Sequence, residues 1–87
     1  MPISMPLTLG SFTIEGRRVQ IVRRAARKIF WITVDGRTAA MVHTHDRFLL
    51  PQPGWTIRDD VADWLLEQTM RAHSHFVAYC FAKGVHP

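Results

Sequence analysis

Between positions 7 and 44, apolar residues alternate with polar ones, as they do in β-strands. Residues 7–14 alternate around Gly10, where we expect a bulge. Val19 and Ile21 share one face of a second strand, and residues 29–34 are almost all β-branched or aromatic. Residues 37–44 read as a further strand. The pattern predicts a β-meander of three or four strands over residues 7–44.

The turn-forming residues between these runs indicate how the strands connect. Asp35-Gly36 separates two strand-like runs and suits a two-residue type I′ hairpin turn. Residues 45–55 are expected to form a loop, because Pro51-Gln52-Pro53-Gly54 fits neither a helix nor a central strand. The apolar run Phe48-Leu49-Leu50 is expected to pin this loop to the core.

One helix is predicted over residues 56–83. Thr56-Ile57-Arg58-Asp59 resembles a capping box, so Thr56 should be the N-cap or lie within a residue or two of it, and Gly84 is a natural C-terminal stop. A break near residues 71–75 is the alternative. The apolar residues at helical spacing are Val61, Trp64, Leu65, Ala72, Phe76 and Tyr79.

These elements predict an α+β fold in which a small antiparallel sheet of three or four strands packs on one long C-terminal helix. We expect a single domain over residues 1–87, with residues 1–6 as a flexible arm. Phe30, Ile32 and Val34 should face the helix, and Trp31 and Thr33 should point to the other side of the sheet.

Charge is distributed unevenly along the chain. Residues 1–58 hold nine cationic and three acidic side chains, whereas residues 59–87 hold two cationic and four acidic ones. Six of the cations fall within the twelve residues 17–28, which contain no acidic residue. Fixed positive charge at this density is typical of a surface that meets a polyanion or an acidic protein.

We therefore expect a non-enzymatic interaction protein that docks an Arg-rich sheet face on an acidic or nucleic-acid-containing partner. The expected docking residues are Arg17, Arg18, Arg23, Arg24, Arg27, Lys28, Trp31 and Arg37, with the cations exposed on one side of the molecule. One alternative is a direct DNA- or RNA-binding module. Another is an inhibitor or adaptor of the kind phages make, which blocks a nucleoprotein complex. A further alternative is that the charges only solubilise the sheet and blunt its edge.

The apolar run at residues 76–82 covers nearly every side of a helix. Burying Phe76, Val77 and Phe81 together would require a second surface, so these three residues predict a homodimer or another stable contact. The alternative is that the sheet and the loop at 45–55 wrap the end of the helix.

Candidate catalytic and metal-binding residues are few. His43 and His45 would share one side of a strand and are the candidate metal ligands, but we expect ordinary histidines, no metal and no cofactor. Cys80 is expected to be buried and inert. The chain contains no phosphate-binding glycine loop and no HExxH, CxxC or GxSxG string. An enzyme is therefore not expected, and a metal-dependent activity is the alternative.

Cellular location is indicated by what the sequence contains near its start and by its cysteine. Residues 1–6 lack the basic and apolar regions of a signal peptide. The apolar run at 76–82 is far shorter than the ~20 residues of a membrane span. Cys80 is the only cysteine, which fits a reducing compartment. We expect a cytoplasmic protein that does not enter membranes.

Overall fold

The computed structural model describes residues 7–23 and 29–84. Five antiparallel strands follow one another across a single sheet, each paired with its neighbour in the chain. They are β1 (Leu7–Ile14), β2 (Arg17–Arg23), β3 (Ile29–Val34), β4 (Arg37–His43) and β5 (Phe48–Pro51), and they are followed by one helix, α1 (Asp59–Lys83). The predicted α+β fold is confirmed, with five strands rather than three or four.

Two tight turns join the β1–β2 and β3–β4 hairpins. Asp35 and Gly36 have φ of 50° and 86°, and Glu15 and Gly16 have φ of 52° and 78°. Positive φ at both central residues is the mark of a type I′ turn, whose twist matches that of the strands it joins. The predicted hairpin turn at Asp35-Gly36 is confirmed.

The prediction of a loop over residues 45–55 is wrong, because part of this segment adds β5 to the sheet. Leu49 pairs with Val42, and a turn in which the Arg47 N–H bonds the His43 carbonyl at 2.8 Å joins the two strands. Pro51 is tolerated because β5 is an edge strand, where a residue without an N–H breaks no ladder on the solvent side. Leu49 packs on the core as expected, whereas Phe48 and Leu50 remain exposed.

The core lies between α1 and one face of the sheet. Antiparallel partners share a face, so the pairs Ile21–Ile32 and Phe30–Val42 point to the same side. All four are essentially fully buried, and Leu65 of the helix completes the cluster with Val19 and Ala40. The expectation that Phe30, Ile32 and Val34 face the helix is confirmed, with Val34 half-buried at its edge.

A bulge at the start of β1 allows close packing beneath the helix. The register with β2 shifts between Thr8 and Gly10, as the glycine predicted. A Cβ on Gly10 would lie 3.1 Å from the Phe12 ring, so this position favours glycine. Phe12 in turn meets Trp64 of the helix edge-on, with ring centroids 4.8 Å apart.

The helix runs unbroken from Asp59 to Lys83, so the alternative of a break near residues 71–75 is wrong. Its C-terminal end is the predicted one: Gly84 has φ 68° and donates to the Phe81 carbonyl at 3.3 Å. The capping box is not formed. Arg58 is the N-cap, two residues beyond Thr56 and therefore at the limit of the predicted range, and its side chain makes no capping hydrogen bond.

The buried stripe of the helix differs from the predicted one near both ends, since Trp64 is 38% exposed. Leu65, Thr69, Phe76 and Cys80 are buried, whereas Tyr79 is exposed. Thr69 is accommodated because its hydroxyl donates to the Leu65 carbonyl at 2.7 Å. In the described part of the chain, no helix is both long and apolar enough to cross a membrane.

Candidate docking surface

A row of apolar side chains crosses the face of the sheet that points away from α1. Strand register places Val22 opposite Trp31, Trp31 opposite Met41, and Met41 opposite Leu50. These four residues alternate with the helix-facing ones, so they project to the opposite side, as was predicted for Trp31. We call the four residues the apolar row and this side of the sheet the open face.

The apolar row is accessible to solvent. Leu50 is 48% exposed, and Val22, Trp31 and Met41 are half-buried. One-sided antiparallel sheets usually present polar residues on the face away from the core. A contiguous apolar strip at such a position is typical of a binding surface.

A second row on the open face adds a pair of stacked rings, of which Phe48 is exposed and His43 is half-buried. Ile29 pairs with His43, and His43 pairs with Phe48. The rings of His43 and Phe48 stack nearly parallel, 10° apart, with centroids 4.7 Å apart. Farther along the strands the open face becomes polar, where Gln20, Thr33 and Thr38 align. The apolar part of the face is therefore bounded along the strands.

The described arginines of the predicted cation cluster do not share one face of the sheet. Arg17, Arg18 and Arg37 are exposed near the two tight turns. Arg18 belongs to the open face, whereas Arg17 and Arg37 pair with Ile14 and Val34, which face the helix side. Strand alternation thus divides the three exposed arginines between the two sides of the sheet. Arg24, Arg27 and Lys28 lie outside the described residues.

Arg23 contradicts the expectation of exposure most clearly, since it is only 4% exposed. It follows Val19 and Ile21 on the helix-facing side, and its guanidinium lies over the Phe76 ring, 4.4 Å from the centroid. Among the described residues, no acceptor bonds its buried Nε or Nη1. Burial lowers the pKa of Arg23, and the electrostatic interaction with Cys80 opposes this effect. Arg23 is part of the core and not of a docking surface.

The three residues predicted for association are not on one surface. Phe76 is 5% exposed and packs under Arg23, so it cannot contribute to an intermolecular contact. Val77 and Phe81 do face outwards, and Phe81 is 88% exposed. The sheet covers Phe76 but leaves the outer side of the helix end uncovered.

The candidate metal ligands are not placed as the strand pattern predicted. His43 ends β4, whereas His45 lies in the β4–β5 turn, so the two do not occupy alternate positions of one strand. Within residues 7–23 and 29–84, no three His, Cys, Asp or Glu side chains come close enough together to hold a metal ion. Cys80 is a free, fully buried thiol, as expected.

Most of the apolar row was missed at the level of sequence. Trp31 was singled out as a docking residue. Leu50 was missed because β5 was taken for a loop, whereas Val22 and Met41 lie in predicted strands but were not named as candidates. The sequence signal for β5 was the apolar run Phe48-Leu49-Leu50. Its middle residue faces the helix, and the residues on either side of it lie on the open face.

Comparisons of the chain with protein-family models, with curated proteins and with solved structures give no match.

Proposed function

We propose that this protein is a non-enzymatic interaction module that docks through its open face on a protein surface with an apolar centre and an acidic rim. The observation that carries the proposal is the apolar row, which runs over four adjacent strands with Trp31 near its middle. Interface centres are enriched in Trp and Met and depleted of charge, as this row is.

The charge on the partner is inferred from cations that lie close in sequence to the strands of the apolar row. The connection between β2 and β3 contributes Arg24, Arg27 and Lys28, each within two residues of a strand end that bears the open-face residues Val22 or Ile29. Arg18 adds a cation at the far end of the same face. An acidic rim on the partner would meet these charges and steer the encounter.

Two other uses of the same surface remain as alternatives. Direct binding of DNA or RNA is favoured by Trp31 and by the stacked His43–Phe48 pair, since aromatic rings near cations suit unpaired bases. An inhibitor or adaptor that blocks a nucleoprotein complex would use the face against the protein part of that complex. A reducing, cytoplasmic setting suits the buried thiol of Cys80.

Two matched substitutions test which surface docks. Leu50→Glu puts a carboxylate on the open face, and Phe81→Glu puts one on the outer side of the helix end. Both side chains are well exposed, so we expect each to change the free energy of unfolding by less than about 0.5 kcal/mol. With partner captured from the source cells in the presence of nuclease, Leu50→Glu should abolish capture and Phe81→Glu should not.

The opposite result would move the docking site to the helix end and would fit a homodimer or partner contact through Val77 and Phe81. Capture that disappears with nuclease, together with a steep loss of affinity for bare nucleic acid as salt rises, would favour the direct nucleic-acid alternative. Unchanged capture by both variants would refute the proposal.

A further inference from the structure

A second surface feature, separate from the docking surface, lies on the helix-facing side of the sheet, at the end where α1 begins. A half-open cleft of about 380 Å³ separates the first turn of the helix from the ends of β1, β2 and β3. We infer that this cleft binds a small amphipathic carboxylate, with its apolar tail between helix and sheet and its head at Arg17. This inference is independent of the docking proposal, because the cleft and the apolar row lie on opposite sides of the sheet.

The walls of the cleft are apolar and only half-buried. Ile14 and Val34 come from the sheet, Ile57 and Val61 from the helix and the segment before it, and Trp55 stands at the side. The buried side chains of Val19 and Leu65 reach its floor. Small-molecule sites fall in the range of ~300–1,000 Å³ and have this apolar character. A hydrocarbon chain or an aromatic ring would therefore be stabilised by burial against these walls.

The mouth of the cleft is charged, and its charges are not all compensated. Glu15, Arg17 and Arg58 line it. The Glu15 carboxylate pairs with Arg58 at 3.0 Å, and Arg58 also bonds Asp60 at 3.1 Å. Arg17 is exposed and forms no ion pair with any described residue. The cation that remains available at the mouth is therefore Arg17.

The charge at the mouth selects the class of ligand. A guanidinium binds a carboxylate through two parallel hydrogen bonds, which a neutral alcohol cannot reproduce and an ammonium group would oppose. An apolar wall with a single available guanidinium at its edge thus fits a medium-chain fatty acid or a simple aryl carboxylate better than a neutral or cationic ligand of the same size.

The test uses three probes of equal chain length: octanoate, octanol and octylammonium. Each is titrated into the full chain and followed by ¹H–¹⁵N NMR, which separates signals of the cleft from those of the rest of the protein. We expect saturable shifts at Ile57 and Val61 with octanoate, and weaker binding of the other two. Arg17→Gln should weaken octanoate binding about tenfold, as expected for a lost charge-assisted contact.

A charge-matched control is Arg37→Gln, which removes an exposed cation at the neighbouring turn but not at the cleft. It should leave octanoate binding unchanged. Val61→Phe should abolish binding by filling the cleft. If that variant does not fold, the two arginine variants still decide the matter. No saturable binding of octanoate, equal binding of octanol, or equal loss in both arginine variants would overturn the inference.

Discussion

Replacing Arg23 with methionine should stabilise the protein. Arg23 is buried over Phe76, and its Nε and Nη1 groups find no acceptor among the described residues. A buried donor without an acceptor has lost its water and gained nothing in return. Methionine fills a similar volume, keeps contact with the Phe76 ring and carries no donor.

The size of the effect follows from two opposing contributions. Each buried donor left without an acceptor costs about 1–3 kcal/mol. The cation–π contact with Phe76, which methionine would lose, is worth about 0.5–2 kcal/mol. Because two such donors outweigh one cation–π contact, we expect Arg23→Met to raise the free energy of unfolding by about 3 kcal/mol, in line with other replacements of buried charges by apolar residues. For a chain of this size, each kcal/mol raises Tm by about 4–8 °C.

Dependence on pH provides a second check. Burial lowers the pKa of Arg23 in the folded state, so folding penalises the charged form. That penalty is complete below the folded-state pKa and declines as the pH rises through it. The difference between Arg23→Met and the wild type should therefore stay constant between about pH 5 and 9, where arginine remains charged in both states.

Urea denaturation followed by tryptophan fluorescence measures the effect, with calorimetry for Tm. Arg18→Met is the matched control, since it removes the same charge from an exposed position of the same strand and should change stability by less than about 0.5 kcal/mol. A loss of 2 kcal/mol or more in Arg23→Met would refute the reasoning and would mean that the guanidinium makes a strong stabilising contact.

Other substitutions test the packing and the ends of the helix by the same denaturation assay. Leu65→Ala should cost about 2–5 kcal/mol, because Leu65 is 2% exposed and joins the helix to the core of the sheet. Thr56→Ala should cost less than about 0.5 kcal/mol, because Arg58 and not Thr56 is the N-cap; a loss near 1 kcal/mol would instead indicate a cap at Thr56. Gly84→Ala should cost about 1 kcal/mol, since alanine at φ 68° is strained, and an unchanged midpoint would contradict the left-handed C-cap. Arg23→Glu should lower Tm sharply, because it places a carboxylate at a position that is only 4% exposed, and an unchanged Tm would show that the position can reach water.

The parts of the fold that were predictable depend on neighbouring residues alone. The type I′ turn requires positive φ at two successive positions, and Asp-Gly is one of the few dipeptides that adopt this conformation readily. Gly84 ends the helix for the same kind of local reason. Alternation over residues 29–34 places Phe30 and Ile32 on one face without any knowledge of what covers them.

The parts that were missed depend on partners distant in the chain. Pro51 argues against a strand unless that strand is known to lie at the edge of the sheet. β5 does so, because β4 is its one neighbouring strand in the sheet. An arginine is normally expected at the surface, although the alternation of β2 places Arg23 on the same helix-facing side as Ile21. Its burial depends on Phe76, more than fifty residues away. The N-cap falls at Arg58, at the limit of the range predicted around Thr56, although the local signals favoured Thr56 itself.

The position of the helix after all five strands has a consequence for folding during translation. All five strands precede the helix, so the ribosome releases the whole sheet before the segment that covers its apolar face. Until residues 59–83 emerge, Ile21, Phe30 and Ile32 lack the helix against which they pack. A nascent sheet with one face bare is a target for chaperones and for aggregation. Stalling translation before and after the helix, and comparing protease resistance, would show cooperative folding only in the longer chain.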